Sequence, residues 1–295
     1  MRARIPTASR KREQDTDLPA DITTNAKRVA GHDGWRRVFS RLRLPFRHCA
    51  RWTEVLVRYL VAWLLRARSS GRVYDGPFRG MVLPDSRYAF RRLHLLMGTF
   101  EMELRTVMER LVAAGFRTII NVGAAGGYYA VGLALRCPGA RVLAFETLQE
   151  QRQHMGLTAK ANGVDDRVVA HGTCTAHSLG ECLAAAEPPV LVLADIEGTE
   201  LSVFDAEVAA RLVRATVVIE THDDREPGTT QELRRRFAAT HRVEAYAPRA
   251  RTRADVPAQL SSGPWRALSW LLWRLVRERR PAAQQWLLFT PLSSA

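Results

Sequence analysis

The chain has 295 residues, 46% hydrophobic and 25% charged, a composition that is ordinary for a globular protein and excludes wholesale disorder and a multi-span membrane protein. Its net charge of +14 divides into +11 for residues 1–72, −3 for 73–240 and +6 for 241–295. Basic ends can attract nucleic acid or an anionic membrane, although 41 arginines against 3 lysines are also typical of a GC-rich genome. No RNA-binding aromatic motif or zinc-finger spacing is present, so we do not expect a nucleic-acid partner.

The cysteines and the amino-terminal sequence predict a cytoplasmic protein. Four cysteines are too few for a disulfide framework and form no C-x-x-C pair, so we expect reduced thiols. No apolar stretch follows the early arginines, so we expect no signal peptide. Residues 1–34 are polar, charged and nearly free of large apolar side chains, which predicts a disordered basic tail.

Residues 35–90 predict an amino-terminal helical extension. Its segment Arg51–Arg68 is crowded with apolar side chains, but Arg58 interrupts it, and the unbroken run of about ten residues falls short of the roughly 20 that span a bilayer. This segment therefore predicts a helix that either packs on the domain or lies on a membrane surface, with peripheral contact through residues 51–68. A helical segment, Arg91–Ala114, then opens a domain over residues 91–295.

Strands and helices alternate from Phe116 onward. Five short runs are continuously apolar, as strands of a parallel sheet covered on both faces are: Thr118–Val122, Val142–Phe145, Arg167–Ala170, Val190–Ala194 and Thr216–Ile219. Helical patterns between and after them are Tyr128–Arg136, Gln149–Ala161 and about Trp265–Arg279, and two more strands are Arg242–Tyr246 and Gln285–Phe289. The fold class predicted is α/β, a doubly wound, mostly parallel seven-stranded sheet with helices on both faces.

The turn from Gly123 to Gly127 follows the first strand and opens a helix. Ala125 and Tyr128 stand where the dinucleotide fingerprint G-x-G-x-x-G requires glycines, which disfavours a nicotinamide cofactor and hence a dehydrogenase. The Lys-Ser/Thr pair of a phosphate-binding P-loop is also absent. The turn therefore suits a ligand without phosphate, or is simply a tight connection with no ligand.

Glu146 ends the second strand, 19 residues after Gly127. A carboxylate there can accept hydrogen bonds from both ribose hydroxyls and would repel a 2′-phosphate. A neutral glycine turn together with this carboxylate would suit S-adenosylmethionine as the ligand, because that molecule has a ribose and no phosphate. The alternative is that Glu146 is a solvated strand end.

Four stretches resemble the FkbM-like family of S-adenosylmethionine-dependent class I methyltransferases: 98–101, 121–129, 144–146 and 195–200, read as GTFE, NVGAAGGYY, AFE and DIEGTE. The resemblance implies the seven-stranded class I Rossmann-like methyltransferase fold and, usually, O-methylation. It also implies that Gly123 and Gly127 pass close to the cofactor, that Glu146 holds the ribose and that Asp195 lies near the sulfonium and the substrate. Two positions depart from the family pattern, Asn121 for an acidic residue and Ala125 for a glycine, and Asn121 would bind the methionine amino group through its side-chain oxygen.

A hydroxyl acceptor benefits from a base. Because Asp195 and Glu220 follow neighbouring parallel strands, we expect them at one sheet edge together with His222. His222 is the first choice of base, since imidazole titrates near neutral pH; its alternative role is a surface or structural residue. We predict catalytic Asp195 and His222 and no metal, because no spacing is diagnostic of one.

The sequence thus predicts a methyltransferase that uses S-adenosyl-L-methionine to methylate an oxygen, or less typically a nitrogen, of a small molecule or glycan. The alternative of a different class is a degenerate nucleoside-binding module that acts at a membrane surface or with a protein partner.

Overall fold

The computed structural model describes residues 56–57, 59–84, 93–275 and 283–292. The predicted tail over residues 1–34 lies outside these ranges, as do Cys49 and the first residues of the predicted 51–68 helix.

A seven-stranded sheet forms the centre of the molecule. Its strands lie in the order β3-β2-β1-β4-β5-β7-β6, and β7 runs antiparallel to both of its neighbours while β1 to β5 are parallel. The strands are β1 Thr118–Val122, β2 Arg141–Phe145, β3 Val168–His171, β4 Val190–Ala194, β5 Thr216–His222, β6 His241–Tyr246 and β7 Gln284–Pro291. The predicted doubly wound, mostly parallel seven-stranded sheet is confirmed.

Alternate side chains of the central strands enter two apolar cores, one on each face of the sheet. Ile119 and Leu191 are fully buried in one core, and Ile120 and Val192 are fully buried in the other. Burial on both faces explains why these strands appear in the sequence as unbroken apolar runs.

Helices cover both faces of this sheet. Their bounds are α1 56–57 and 59–69, α2 Leu93–Met97, α3 Arg105–Ala114, α4 Tyr128–Arg136, α5 Gln149–Ala161, α6 Ala176–Ala184, α7 Glu200–Val203, α8 Ala206–Arg211, α9 Thr229–Phe237 and α10 Ser269–Leu275. Short 3₁₀ turns are Met102–Leu104, Arg253–Asp255, Ala258–Leu260 and Gly263–Leu268.

Two predicted helices were wrong in extent. The described part of Arg91–Ala114 is broken after Met97, because Gly98 adopts φ +71° and Glu101 adopts φ +44°. A Cβ on Gly98 would lie 1.9 Å from the carbonyl oxygen of Asp75, so contact with a segment distant in sequence determines where the helix breaks. The predicted Trp265–Arg279 helix begins as a 3₁₀ turn and becomes α-helical only at Ser269, and residues 276–279 lie outside the described ranges.

Helix α1 packs on the domain, which is the first of the two alternatives that the sequence predicted. Val61, Ala62 and Leu65 are buried in a third apolar cluster that also contains Leu96 and Leu272. Within the part of the chain that the structure describes, no helix is both long and apolar enough to cross a membrane.

The loops after β1, β2 and β4 meet at the carboxyl edge of the sheet. β1 pairs with β2 on one side and with β4 on the other, and Val122 is in register with both Phe145 and Ala194. The residues after these strand ends, among them Gly123, Glu146 and Asp195, therefore meet at the carboxyl edge. The strand order reverses between β1 and β4, because β2 and β3 lie on one side of β1 and β4 and β5 lie on the other. Ligands of open α/β sheets bind at such a point.

Candidate functional site

The glycine turn leaves β1 against the end of β4. Gly123 adopts φ +79°, and a Cβ at this position would lie 1.8 Å from the carbonyl oxygen of Asp195. Gly127 adopts φ +88° and packs on Met155, whose Cγ would lie 2.7 Å from an added Cβ. Both glycines are therefore required for the backbone path and for close packing, whereas Ala125 accommodates φ +46° with its Cβ in place.

Glu146 meets this turn directly. Its Oε2 accepts a hydrogen bond of 2.8 Å from the backbone N–H of Ala125, and its Oε1 accepts one of 2.8 Å from the N–H of Leu148. The carboxylate and the turn thus share one place at the sheet edge, as the sequence predicted. Each carboxylate oxygen has a further lone pair with which to accept a ligand hydroxyl.

Asn121 lies on β1 with 1% of its surface exposed. Its Nδ2 donates to the carbonyl oxygen of Leu193 at 3.2 Å. Its Oδ1 is buried and has no hydrogen-bond partner among the described residues. A buried acceptor without a donor is costly, so this atom is a place where a ligand donor would be stabilising.

A cavity opens above the glycine turn. Residues 123–126 form its floor, and aromatic and apolar side chains form much of its wall: Leu83, Leu95, Leu96, Phe100, Tyr128, Tyr129 and Leu193. Asp195 lines it as well, whereas Glu146, Asn121 and His222 do not. The predicted site residues therefore divide into those on the cavity surface, which are Gly123 and Asp195, and those behind it or beside it.

Three further polar side chains of this region were not predicted from the sequence. Arg66 of α1, His94 of α2 and His154 of α5 line the cavity. Tyr129 hydrogen-bonds through its hydroxyl to Glu101, a buried residue in the left-handed region. No local motif marks Arg66, because it reaches the site from a segment more than 50 residues before the glycine turn.

His222 ends β5 in a cluster of carboxylates. Its Nδ1 lies 2.6 Å from Oε1 of Glu200, and its Nε2 lies 3.7 Å from Asp195 Oδ1, 3.8 Å from Glu220 Oε2 and 3.9 Å from Glu197 Oε2. The sequence therefore predicted correctly that Asp195, Glu220 and His222 share one edge. His222 is not a surface residue, since its side chain is only 2% exposed.

The contact with Glu200 decides the chemistry of this imidazole. Oε1 of Glu200 also accepts from the N–H of Gly198 at 3.0 Å, so it acts as an acceptor and His222 donates from Nδ1. Burial alone would lower the pKa of His222, but this hydrogen bond and the charges of Glu200, Asp195 and Glu197 outweigh it and raise the pKa above its ordinary 6.5. The neutral form then presents its lone pair at Nε2, toward Asp195.

Asp195, Glu220 and His222 could also hold a metal ion, because one ligand atom from each lies within 4.8 Å of the others. Carboxylate oxygens and imidazole nitrogens suit several divalent cations. The sequence-based prediction of no metal is untested by this geometry and stays a prediction.

Comparisons with known proteins give short or distant similarity. No family model matches the chain. Over 73 residues the chain is 38% identical to the release factor glutamine methyltransferase of Chlorobaculum tepidum, a match that covers 23% of this chain and 25% of the relative. The chain thus matches about a quarter of the length of that curated relative.

Solved structures with a similar arrangement include several methyltransferases. An O-methyltransferase from Bacillus cereus in complex with SAH has a TM-score of 0.41 and 14% identity, over 81% of this chain and 90% of that chain. The O-methyltransferase TomG from Streptomyces achromogenes, in complex with SAM, has a TM-score of 0.41 and 14% identity, over 71% and 92%. An rRNA methylase from Streptococcus thermophilus has a TM-score of 0.43 and 10% identity, over 66% and 99%.

Proposed function

We propose that the chain is an S-adenosylmethionine-dependent methyltransferase that acts on a hydroxyl oxygen of a small molecule or glycan. The observation that carries the proposal is the 2.8 Å hydrogen bond between the Ala125 N–H and Glu146, which unites an uncharged glycine turn with a carboxylate. Ribose hydroxyls can donate to this carboxylate, and the turn has no cation for a phosphate. A nucleoside without phosphate fits this pair of features.

The surrounding polar groups fit the methionine part of the cofactor. The buried Oδ1 of Asn121 does not line the cavity and has no hydrogen-bond partner among the described residues, so it would gain a donor from an ammonium group that reaches behind the cavity surface. Arg66 brings a positive charge to the cavity wall, where it can pair with a carboxylate. Asp195 on the same wall favours the positive sulfonium. These roles of Asn121, Arg66 and Asp195 belong to the proposal.

The bound cofactor supplies an electrophilic methyl group on sulfur. The residues of the chain have to hold the acceptor in line with it and exclude water. The apolar and aromatic wall of the cavity serves the second task, and Asp195 serves the first by hydrogen-bonding the acceptor hydroxyl. When the oxygen–carbon bond forms and the sulfur–carbon bond breaks, the hydroxyl proton must leave.

His222 is the group that takes this proton, by way of Asp195. Glu200 fixes Nδ1 as the protonated nitrogen, which leaves Nε2 as the acceptor 3.7 Å from Asp195 Oδ1. This separation has to shorten to hydrogen-bonding distance before the proton passes from Asp195 to Nε2. The buried Glu200 carboxylate also stabilises the imidazolium that results. Asp195 is thus the catalytic residue on the cavity surface, and His222 acts through it.

The DIEGTE segment supports the finer resemblance to FkbM-like methyltransferases. Its Asp195 lines the cavity, Glu197 adopts φ +54° beside Gly198 at φ +101°, and Glu200 holds His222. Non-glycine residues in this conformation are costly and concentrate at functional sites. We also keep the cytoplasm as the proposed location, to which the free thiols of Cys137, Cys174 and Cys182 are suited.

Calorimetry tests the cofactor assignment. The full chain should bind S-adenosylmethionine and S-adenosylhomocysteine in preference to NAD. Preferential binding of NAD would overturn the proposal. Binding of none of the three would favour the alternative of a degenerate module without activity.

A matched pair of variants tests the catalytic assignment. Asp195→Asn should retain S-adenosylhomocysteine binding within about tenfold and lose most methyl transfer, since it removes an acceptor and a charge at the reacting atoms. Asp205→Asn, at the cap of α8, should leave transfer unchanged. Transfer by Asp195→Asn at the rate of the unaltered chain would remove Asp195 from the reaction.

A further inference from the structure

Helix α1 is apolar on two opposite faces. Val57, Val61 and Leu65 face the protein core. On the other side, five large apolar side chains are between 45% and 64% exposed: Leu56, Tyr59, Leu60, Trp63 and Leu64. At 100° per residue these five cover an arc of about 140°, so they form one continuous surface. We call these five residues the outer face of α1.

Single exposed apolar residues are ordinary, but a contiguous group marks a docking surface. The outer face includes one tryptophan and one tyrosine, whose amphipathic rings suit a membrane interface. Trp270 of α10, a helix that joins the same apolar cluster through Leu272, is also 46% exposed. Two elements that share one cluster thus both expose aromatic residues.

The two segments that carry these residues are net basic in sequence, although an acidic residue borders each end of both: Glu54, Asp75, Asp255 and Glu278. Asp75 pairs with Arg105 and Asp255 pairs with Arg249, so these two carboxylates are neutralised within the protein. Residues 55–74 contain four arginines and no acidic residue, and residues 256–277 contain three arginines and no acidic residue. Arg68 lies 6.0 Å from the Trp265 ring and Arg274 lies 6.0 Å from the Trp270 ring. Arginines beside exposed aromatic residues are complementary to an anionic lipid surface.

This charge decides between the occupants that could cover the outer face. Residues 1–54 of the same chain carry 13 Lys+Arg against 6 Asp+Glu, and a second copy presents the same basic surface. Both would bring positive charge against positive charge, whereas anionic lipid would neutralise it. We propose that the outer face of α1 docks the protein on an anionic membrane surface.

Docking would also affect how an acceptor reaches the cavity, and this consequence rests on the proposed methyl transfer. Ala62 and Arg66 of α1 line the cavity, so the docked helix would be at once membrane contact and cavity wall. An amphiphilic acceptor could then present its hydroxyl to Asp195 while its apolar part remains in the lipid. The docking proposal itself does not require any methyl transfer.

Vesicle flotation with the full chain tests the docking. The chain should float with vesicles of phosphatidylglycerol and phosphatidylcholine, more weakly with phosphatidylcholine alone, and less in high salt, because the attraction is partly electrostatic. L60S/W63S should lower partitioning onto the anionic vesicles by about tenfold or more. The control L157S/V213S alters two exposed apolar residues elsewhere, 58% and 41% exposed, and should change partitioning less than about twofold.

A second measurement locates the contact. Brominated lipid should quench tryptophan fluorescence of the unaltered chain, and Trp63→Phe should reduce the quenched amplitude while it retains binding. Failure of the unaltered chain to float, or equal flotation of L60S/W63S, would overturn the proposal. So would self-association that L60S/W63S abolishes without any vesicle binding, since a second copy would then be the occupant. S-adenosylhomocysteine affinity without vesicles should be the same in L60S/W63S, which keeps this test separate from that of the methyltransferase.

Discussion

Replacing Glu146 with alanine removes the carboxylate that joins the glycine turn to the end of β2. In the proposed complex this group accepts hydrogen bonds from ribose in addition to those from Ala125 and Leu148. Hydrogen bonds to a charged group contribute about 1.5–3 kcal/mol. At 1.4 kcal/mol per tenfold, Glu146→Ala should weaken S-adenosylhomocysteine by about 10- to 150-fold.

Calorimetry of three variants separates the ribose contact from a general charge effect. Glu207→Ala removes a carboxylate that is 74% exposed on α8 and should leave affinity within about twofold. Glu146→Gln keeps one acceptor oxygen but loses the charge, so its affinity should be intermediate. The thermal midpoint of Glu146→Ala should change little, because water can replace the carboxylate at the exposed N–H groups of Ala125 and Leu148. An unchanged dissociation constant for Glu146→Ala would refute the ribose assignment.

Three other outcomes are expected. Gly123→Ala should lower the free energy of unfolding by about 2–5 kcal/mol in denaturant titration, because the added methyl group clashes with Asp195 and the residue has a positive φ. Its control is Gly156→Ala inside α5, where there is open space, and this variant should raise the free energy of unfolding slightly. Equal effects of the two variants would refute the steric explanation. Because the pKa of His222 is raised in the folded state, its contribution to stability is complete below about pH 6.5 and is lost as the pH rises through the folded pKa. His222→Gln should therefore flatten this decline of unfolding free energy with pH. The control His241→Gln should not, because burial lowers the pKa of His241. Methyl transfer should withstand EDTA, and full loss that Mg²⁺ or Mn²⁺ restores would establish a metal in place of the predicted metal-free site.

Local signals predicted the central strands well. β1, β4, α4 and α5 begin and end at the predicted residues. The apolar run of β1 lies between Arg117 and Gly123, and that of β4 lies between Pro189 and Asp195, so their ends are marked in the sequence. The break after Met97 was not predictable from local pattern, since the approach of Gly98 to Asp75 is a long-range contact. β5 extends past Ile219 because its last residues, although polar, pair with β7.

The sequence predicted those parts of the candidate site that directly follow strand ends. The glycine turn, Glu146 and Asp195 follow strand ends, so parallel topology alone brings them together. The 2.6 Å contact of Glu200 with His222 depends on a four-residue helix whose orientation no spacing specifies. Arg66 could not be predicted, because its place on the cavity wall depends on how α1 packs in the third apolar cluster.

The most direct measurement is a crystal structure of the full chain with S-adenosylhomocysteine. We expect the ribose hydroxyls within hydrogen-bonding distance of the Glu146 carboxylate and the amino-acid part between the glycine turn and Asp195. A nucleoside that lies away from Glu146, or a protein side chain that fills the space between this carboxylate and residues 123–127, would contradict the proposed function.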